Sequence, residues 1–102
     1  MKTFSSIVLT GASSGIGEAL ALDYAGPGVA LALTGRDAER LETVATGCRA
    51  KGATVVAATI DVTDRERFLP WLTAFDAAHP VDLVLANAGI SIDKDNSSLD
   101  DF

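Results

Sequence analysis

Along the chain, short unbroken apolar runs alternate with segments whose apolar residues recur every three or four positions. Ile7-Val8-Leu9 is the first run, and a continuous stretch of this kind predicts a strand covered on both faces. Ile16, Leu20 and Tyr24 then stand at i, i+4 and i+8, one stripe of a helix that Gly26-Pro27-Gly28 stops. Val29 to Leu33 is a second buried strand, ending at Thr34-Gly35-Arg36. Asp37 predicts the cap of a second helix, whose apolar face of Leu41, Val44, Ala45 and Cys48 ends at Gly52. Thr54 to Thr59, rich in β-branched residues, predicts a third strand. Thr63 or Asp64 opens a third helix with Phe68, Leu72 and Phe75 on one side; Pro70 should kink or restart it, and His79-Pro80 closes it. Asp82 to Ala86 is the fourth strand, followed by Asn87-Ala88-Gly89.

Strict alternation of strand and helix implies right-handed crossovers and a parallel sheet. The expected class is therefore α/β: a doubly wound, Rossmann-type parallel sheet, incomplete, with four strands in the order 3-2-1-4 and flanking helices. Direction reverses between strands 1 and 4, and ligands bind beyond the carboxyl ends of the strands at such a point.

Composition narrows the partners. The 102 residues are 48% apolar and 22% charged, which suits one globular domain. A net charge of −6 with scattered Lys and Arg argues against nucleic acid, which is held by clustered basic side chains. No apolar run approaches the roughly 20 residues that cross a bilayer, and the short apolar stretch after Lys2 predicts no secretory leader. A single cysteine, Cys48, makes no internal disulfide, so a reducing, cytoplasmic setting is expected. Cys48 falls on the core face of its helix, and His79 has no second His or Cys nearby, so no metal site is expected.

The chemistry concentrates at the strand ends. In Thr10-Gly11-Ala12-Ser13-Ser14-Gly15-Ile16-Gly17, Gly11 permits a sharp turn and Gly15 a close approach of backbone to phosphate. Gly17 permits tight packing of helix on sheet. The helix then offers unpaired N–H groups and a positive dipole end to a pyrophosphate, so an acidic chain attracts an anion locally.

This Thr-Gly-x-x-x-Gly-x-Gly loop resembles the cofactor loop of the short-chain dehydrogenase/reductase family. Asp61-Val62 after the third strand and Asn87-Ala88-Gly89 after the fourth match two further family signatures, so the resemblance runs from about Ile7 to Ile90. It implies that Gly11, Ser13, Ser14, Gly15, Ile16 and Gly17 surround the pyrophosphate and adenosine ribose of a dinucleotide. Asp61 would accept from the adenine amino group, and the Val62 N–H would donate to the ring. Asn87, Ala88 and Gly89 would lie along the ribose; the family often has a second asparagine where this chain has Ala86. An acid at the end of strand 2 would favour NAD, but Gly35 stands there and Arg36 follows. A guanidinium pairs with a 2′-phosphate, so NADP is favoured over NAD.

The resemblance also implies what this sequence does not contain. Hydride transfer between nicotinamide and a small carbonyl or alcohol uses a Ser and a Tyr-x-x-x-Lys pair in this family, and the only tyrosine, Tyr24, is followed four residues on by Gly28. No catalytic residue is assigned, and the chain alone is expected to be inactive. Residues 1–92 read as the amino-terminal part of a dinucleotide-binding domain. Residues 93–102 read as a polar, flexible tail leading into the start of a helix at Leu99 to Phe102. A non-catalytic dinucleotide-binding module and a structural fragment are the alternatives. An uncovered fourth strand should favour self-association or a homo-oligomer through that edge.

Overall fold

The computed structural model describes residues 4–87. Its elements are β1 (Ser6–Thr10), α1 (Gly15–Tyr24), β2 (Ala30–Thr34), α2 (Ala38–Ala50), β3 (Thr54–Ala58), α3 (Arg65–Ala78) and β4 (Leu83–Ala86). The strands form one parallel sheet in the order β3-β2-β1-β4, as the alternation predicted. Val8 of β1 pairs with Ala32 of β2 and with Val84 of β4, so β1 is interior to the sheet. Expectations for residues 93–102, and for Ala88 and Gly89, lie outside the described residues.

The pleat sends alternate side chains to opposite faces. Ile7, Leu9, Leu31, Leu33 and Val55 join the inner faces of α1 and α2 in the larger core. Val8, Ala30 and Ala32 meet Phe75 of α3 on the other side, flanked by Trp71 and Leu72. This second face is more open among the described residues: Val84 is 58% exposed, and Leu69 and Val56 are also exposed. Cys48 is fully buried in the larger core, and burial raises its thiol pKa, so it is a packing residue.

One local reading is corrected and another narrowed. The buried line of α1 is Gly17 and Ala21, continued by Ala25 past its end, while Ile16 is 68% exposed. At the head of that line α1 lies almost against the loop that precedes it, where a Cβ on Gly17 would strike the Gly11 backbone. Helix α3 runs through Pro70 without restarting. Asp37 does cap α2: its Oδ1 accepts from the Arg40 N–H at 3.1 Å.

At the amino end of the sheet, Asp82 fastens β4 to β1. Its Oδ2 and Oδ1 accept from the backbone N–H groups of Ser5 and Ser6, each at 3.0 Å. These hydrogen bonds hold the carboxyl below its ordinary pKa. Because the folded-state value is depressed, the stabilisation is full above the unfolded value of about 4 and is lost as pH falls through the folded value. Urea midpoints of the wild type should therefore fall below pH ~4. Asp82→Asn should be less stable at pH 7 and lose less on acidification; parallel profiles would refute this role.

Candidate functional site

Helix α1 begins at the carboxyl end of β1 because Ser14 and two glycines shape the intervening loop. Gly11 has a positive φ of 72°, a conformation that most side chains resist. Ser14 caps α1, its Oγ accepting from the Gly17 N–H at 3.2 Å and its hydroxyl donating to the Gly11 carbonyl at 2.9 Å. A Cβ on Gly17 would fall 2.0 Å from the Gly11 carbonyl oxygen, so glycine is required there. The loop also leans on β2, the Ala12 N–H donating to the Thr34 carbonyl at 2.8 Å.

Gly15 differs from Gly17. No protein atom lies within 4 Å of the position its Cβ would occupy. Packing among the described residues does not require it, and the space beside it is open. The N–H groups of Gly15 and Ile16 take no part in the hydrogen bonds of this turn, whereas the Ser14 N–H donates to the Gly11 carbonyl and the Gly17 N–H to Ser14 Oγ. A helix start with free N–H groups and room beside them suits an anion.

Asn87, just past β4, joins the far side of the site to this loop. Its Nδ2 donates to the Gly11 carbonyl at 3.1 Å and to Ser14 Oγ at 2.8 Å. The ends of β1 and β4 thus meet through side-chain chemistry as well as through strand pairing.

Between these strand ends lies a cleft of about 500 Å³. Gly11, Ser13, Ser14 and Asn87 line one side, Arg36 and its neighbours a second, and Asp61 with Val62 a third. Of the expected cofactor residues, Gly15, Ile16 and Gly17 are not on its wall: Gly17 is buried under the loop, and Gly15 and Ile16 lie exposed at the start of α1. A smaller hollow of about 300 Å³ at the amino end of the sheet, beside Ser5, His79 and Pro80, contains none of them.

Polarity in the cleft has identifiable sources. Asp61 Oδ1 accepts from Thr63 Oγ1 at 2.7 Å and from the Thr63 N–H at 2.9 Å. These bonds, aided by the charge of Arg36, lower the Asp61 pKa, so the carboxylate is ionised at neutral pH and fixed as an acceptor. Ser13, only 9% exposed, brings a hydroxyl to the cleft wall. Gly35 is enclosed by it: a Cβ at 35 would lie 2.6 Å from Ser13 Oγ. An acidic side chain at that position would collide with the loop, which leaves Arg36 as the first residue after β2 able to present a charge.

Sequence reading missed Thr63 and Arg40. The Asp-x-Thr spacing is a local signal for a side chain that bonds its own backbone two residues on. Arg40 lines the cleft from the first turn of α2, a placement that only the packing of α2 beside β2 reveals.

A parallel sheet with its glycine turn, acidic turn and asparagine turn around one cleft defines a doubly wound Rossmann-type fold. The family model described as short chain dehydrogenase matches residues 5–102, and the chain belongs to that family. Gluconate 5-dehydrogenase of Gluconobacter oxydans is 38% identical over 84 residues, covering 81% of this chain and 33% of the relative. Among solved structures, NAD+-bound xylitol dehydrogenase superposes with a TM-score of 0.71 at 30% identity, over 78% of this chain and 31% of the other. L-sorbose reductase from Gluconobacter frateurii, complexed with NADPH and L-sorbose, gives 0.72 at 29% identity, over 85% of this chain and 34% of the other. The chain spans about a third of the length of this gluconate dehydrogenase and of similar relatives, and less of others.

Proposed function

We propose that this chain carries the adenosine side of the cofactor site of an NADP(H)-dependent oxidoreductase. The full activity would be hydride transfer between nicotinamide and a small carbonyl or alcohol. The observation that carries this reading is the single cleft shared by Gly11, Ser14, Arg36, Asp61 and Asn87. The donors fit such a ligand: open space beside Gly15 leaves room for a pyrophosphate at the start of α1. Ionised Asp61 is an acceptor for an adenine amino group, and the Val62 N–H is the donor beside it. Ser13 and Asn87 are the polar side chains offered to the ribose.

Arg36 supports NADP. It lines the cleft at the end of β2, where the rim position before it, Gly35, has no room for an acid. The L-sorbose reductase complexed with NADPH is consistent with this, while the NAD+-bound xylitol dehydrogenase represents the other choice within the family. The nicotinamide supplies or accepts the hydride, and this chain's residues bind and orient the remote end of the molecule. Acid–base chemistry falls to residues outside this sequence. Self-association through β4 and its exposed Val84 face belongs to the same proposal.

Titration of the chain with NADPH and NADH tests it. NADPH should bind more tightly, and Arg36→Gln should weaken NADPH by ~10-fold, the effect of losing a charge-assisted contact. NADH affinity should change little. Equal wild-type affinities would overturn the NADP assignment, and no binding of either would leave only a structural role. A non-catalytic module would instead bind NADPH and turn over no carbonyl when the full-length protein is assayed.

A further inference from the structure

Arg40 stands in the wall between two hollows. On one side it lines the cleft with Arg36; on the other it borders a recess of about 210 Å³ with Glu18, Glu39 and Thr43. Its Nη2 lies 3.7 Å from Glu18 Oε1, and both side chains are substantially exposed. An ion pair of that length in water is weak, so its partner is exchanged at little cost. The backbone of Arg40 is anchored, because its N–H donates to the capping carboxylate of Asp37. Only the guanidinium has to move.

Charge around the cleft gives that movement a purpose. The lining holds two cations, Arg36 and Arg40, against two carboxylates, Asp37 and Asp61. Arg36 faces Asp61 across the same cleft, and its charge adds to the Thr63 hydrogen bonds that keep that carboxylate ionised. A phosphate monoester carries about 1.5 to 2 negative charges at neutral pH, more than a single guanidinium balances. Net attraction is absent, so recognition depends on directed contacts from individual side chains.

We propose that Arg40 exchanges Glu18 for the ribose 2′-phosphate, so that the Glu18–Arg40 pair sets how strongly the cleft prefers phosphorylated over unphosphorylated ribose. This inference rests on the NADP reading of Arg36. Glu18 acts as a built-in competitor: it holds Arg40 beside the cleft and lowers the gain from releasing it to the ligand. Removing the arginine weakens recognition of the 2′-phosphate, and removing the glutamate strengthens it.

Calorimetric titration of the 102-residue chain with adenosine 2′,5′-bisphosphate and adenosine 5′-monophosphate decides the matter. Arg40→Gln should weaken the bisphosphate by ~10-fold, and Glu18→Gln should tighten it about two- to fivefold. The monophosphate should be unaffected in both variants, which also shows that they are folded. The double variant should match Arg40→Gln, because Glu18 acts through Arg40. A bisphosphate preference that survives Arg40→Gln unchanged, or a Glu18→Gln gain that persists without Arg40, overturns this proposal and leaves the NADP reading intact. Equal wild-type affinity for the two ligands overturns both.

Discussion

Gly17→Ala is expected to cost the chain about 3 kcal/mol of folding stability, at the upper end of overpacking changes. The added Cβ would lie 2.0 Å from the Gly11 carbonyl oxygen, 2.8 Å from its carbon and 2.9 Å from Ala12 Cα. All three are backbone atoms, so no side chain can rotate away. Relief requires moving α1 or the loop, and the loop is held by the Ala12 bond to Thr34 and the Asn87 bond to Gly11. Gly15→Ala is the matched control. Its Cβ enters open space at the start of α1, and alanine favours helix, so stability should stay within about 1 kcal/mol of the wild type. NADPH affinity should nevertheless fall in Gly15→Ala, because the methyl group occupies the space assigned to phosphate. Urea melts and nucleotide titrations of both variants check this. Retained affinity in Gly15→Ala would remove the phosphate from that position, and a stable Gly17→Ala would refute the packing argument.

The contrast between the two glycines marks the boundary of what sequence reveals. Strand and helix alternation was legible, because each apolar run and each three- or four-residue period is a local property. Strand order followed, since right-handed crossovers leave few arrangements of four parallel strands. The Asp37 cap was legible for the same local reason. Ile16 was not: apolar spacing put it on a stripe, but Gly17 lies against Gly11, and the helix turns Gly17 and Ala21 inward and Ile16 outward. The enclosure of Gly35 by Ser13 joins two different loops and has no signature in either segment. Arg36 carried a chemical hint at its own position, whereas Arg40 reaches the cleft only through the placement of α2. Side chains were legible where chemistry and backbone position coincide, and hidden where packing between elements decides.

Replacing Asn87 with alanine is expected to remove about 2 kcal/mol, counting about 1 kcal/mol for each of its two hydrogen bonds. Gly11 would lose the amide donor while keeping the Ser14 hydroxyl, and Ser14 would keep its contacts to Gly11 and Gly17. Asn87→Asp should be worse than alanine despite its similar size. A carboxylate has no proton to donate, so two acceptors would face the Gly11 carbonyl, and a negative charge would stand at the mouth of a site assigned to an anion. The expected order of stability at pH 7 is wild type, then Asn87→Ala, then Asn87→Asp, and the order of NADPH affinity is the same. Thermal unfolding and nucleotide titration of the three proteins measure both. If Asn87→Asp matched the wild type in stability, the amide would not be donating in the sense described.

Asp82 and Asn87 bracket β4, one clasping the amino ends of the sheet and the other the carboxyl ends. A four-residue ribbon brought to β1 from more than seventy positions away is thereby latched at both extremities. The spacing of the β1 and β4 ends beside the crevice is consequently expected to be set by the scaffold before any guest arrives. Differences in affinity among nucleotides should then report the contacts each one makes, with no shared cost of closing.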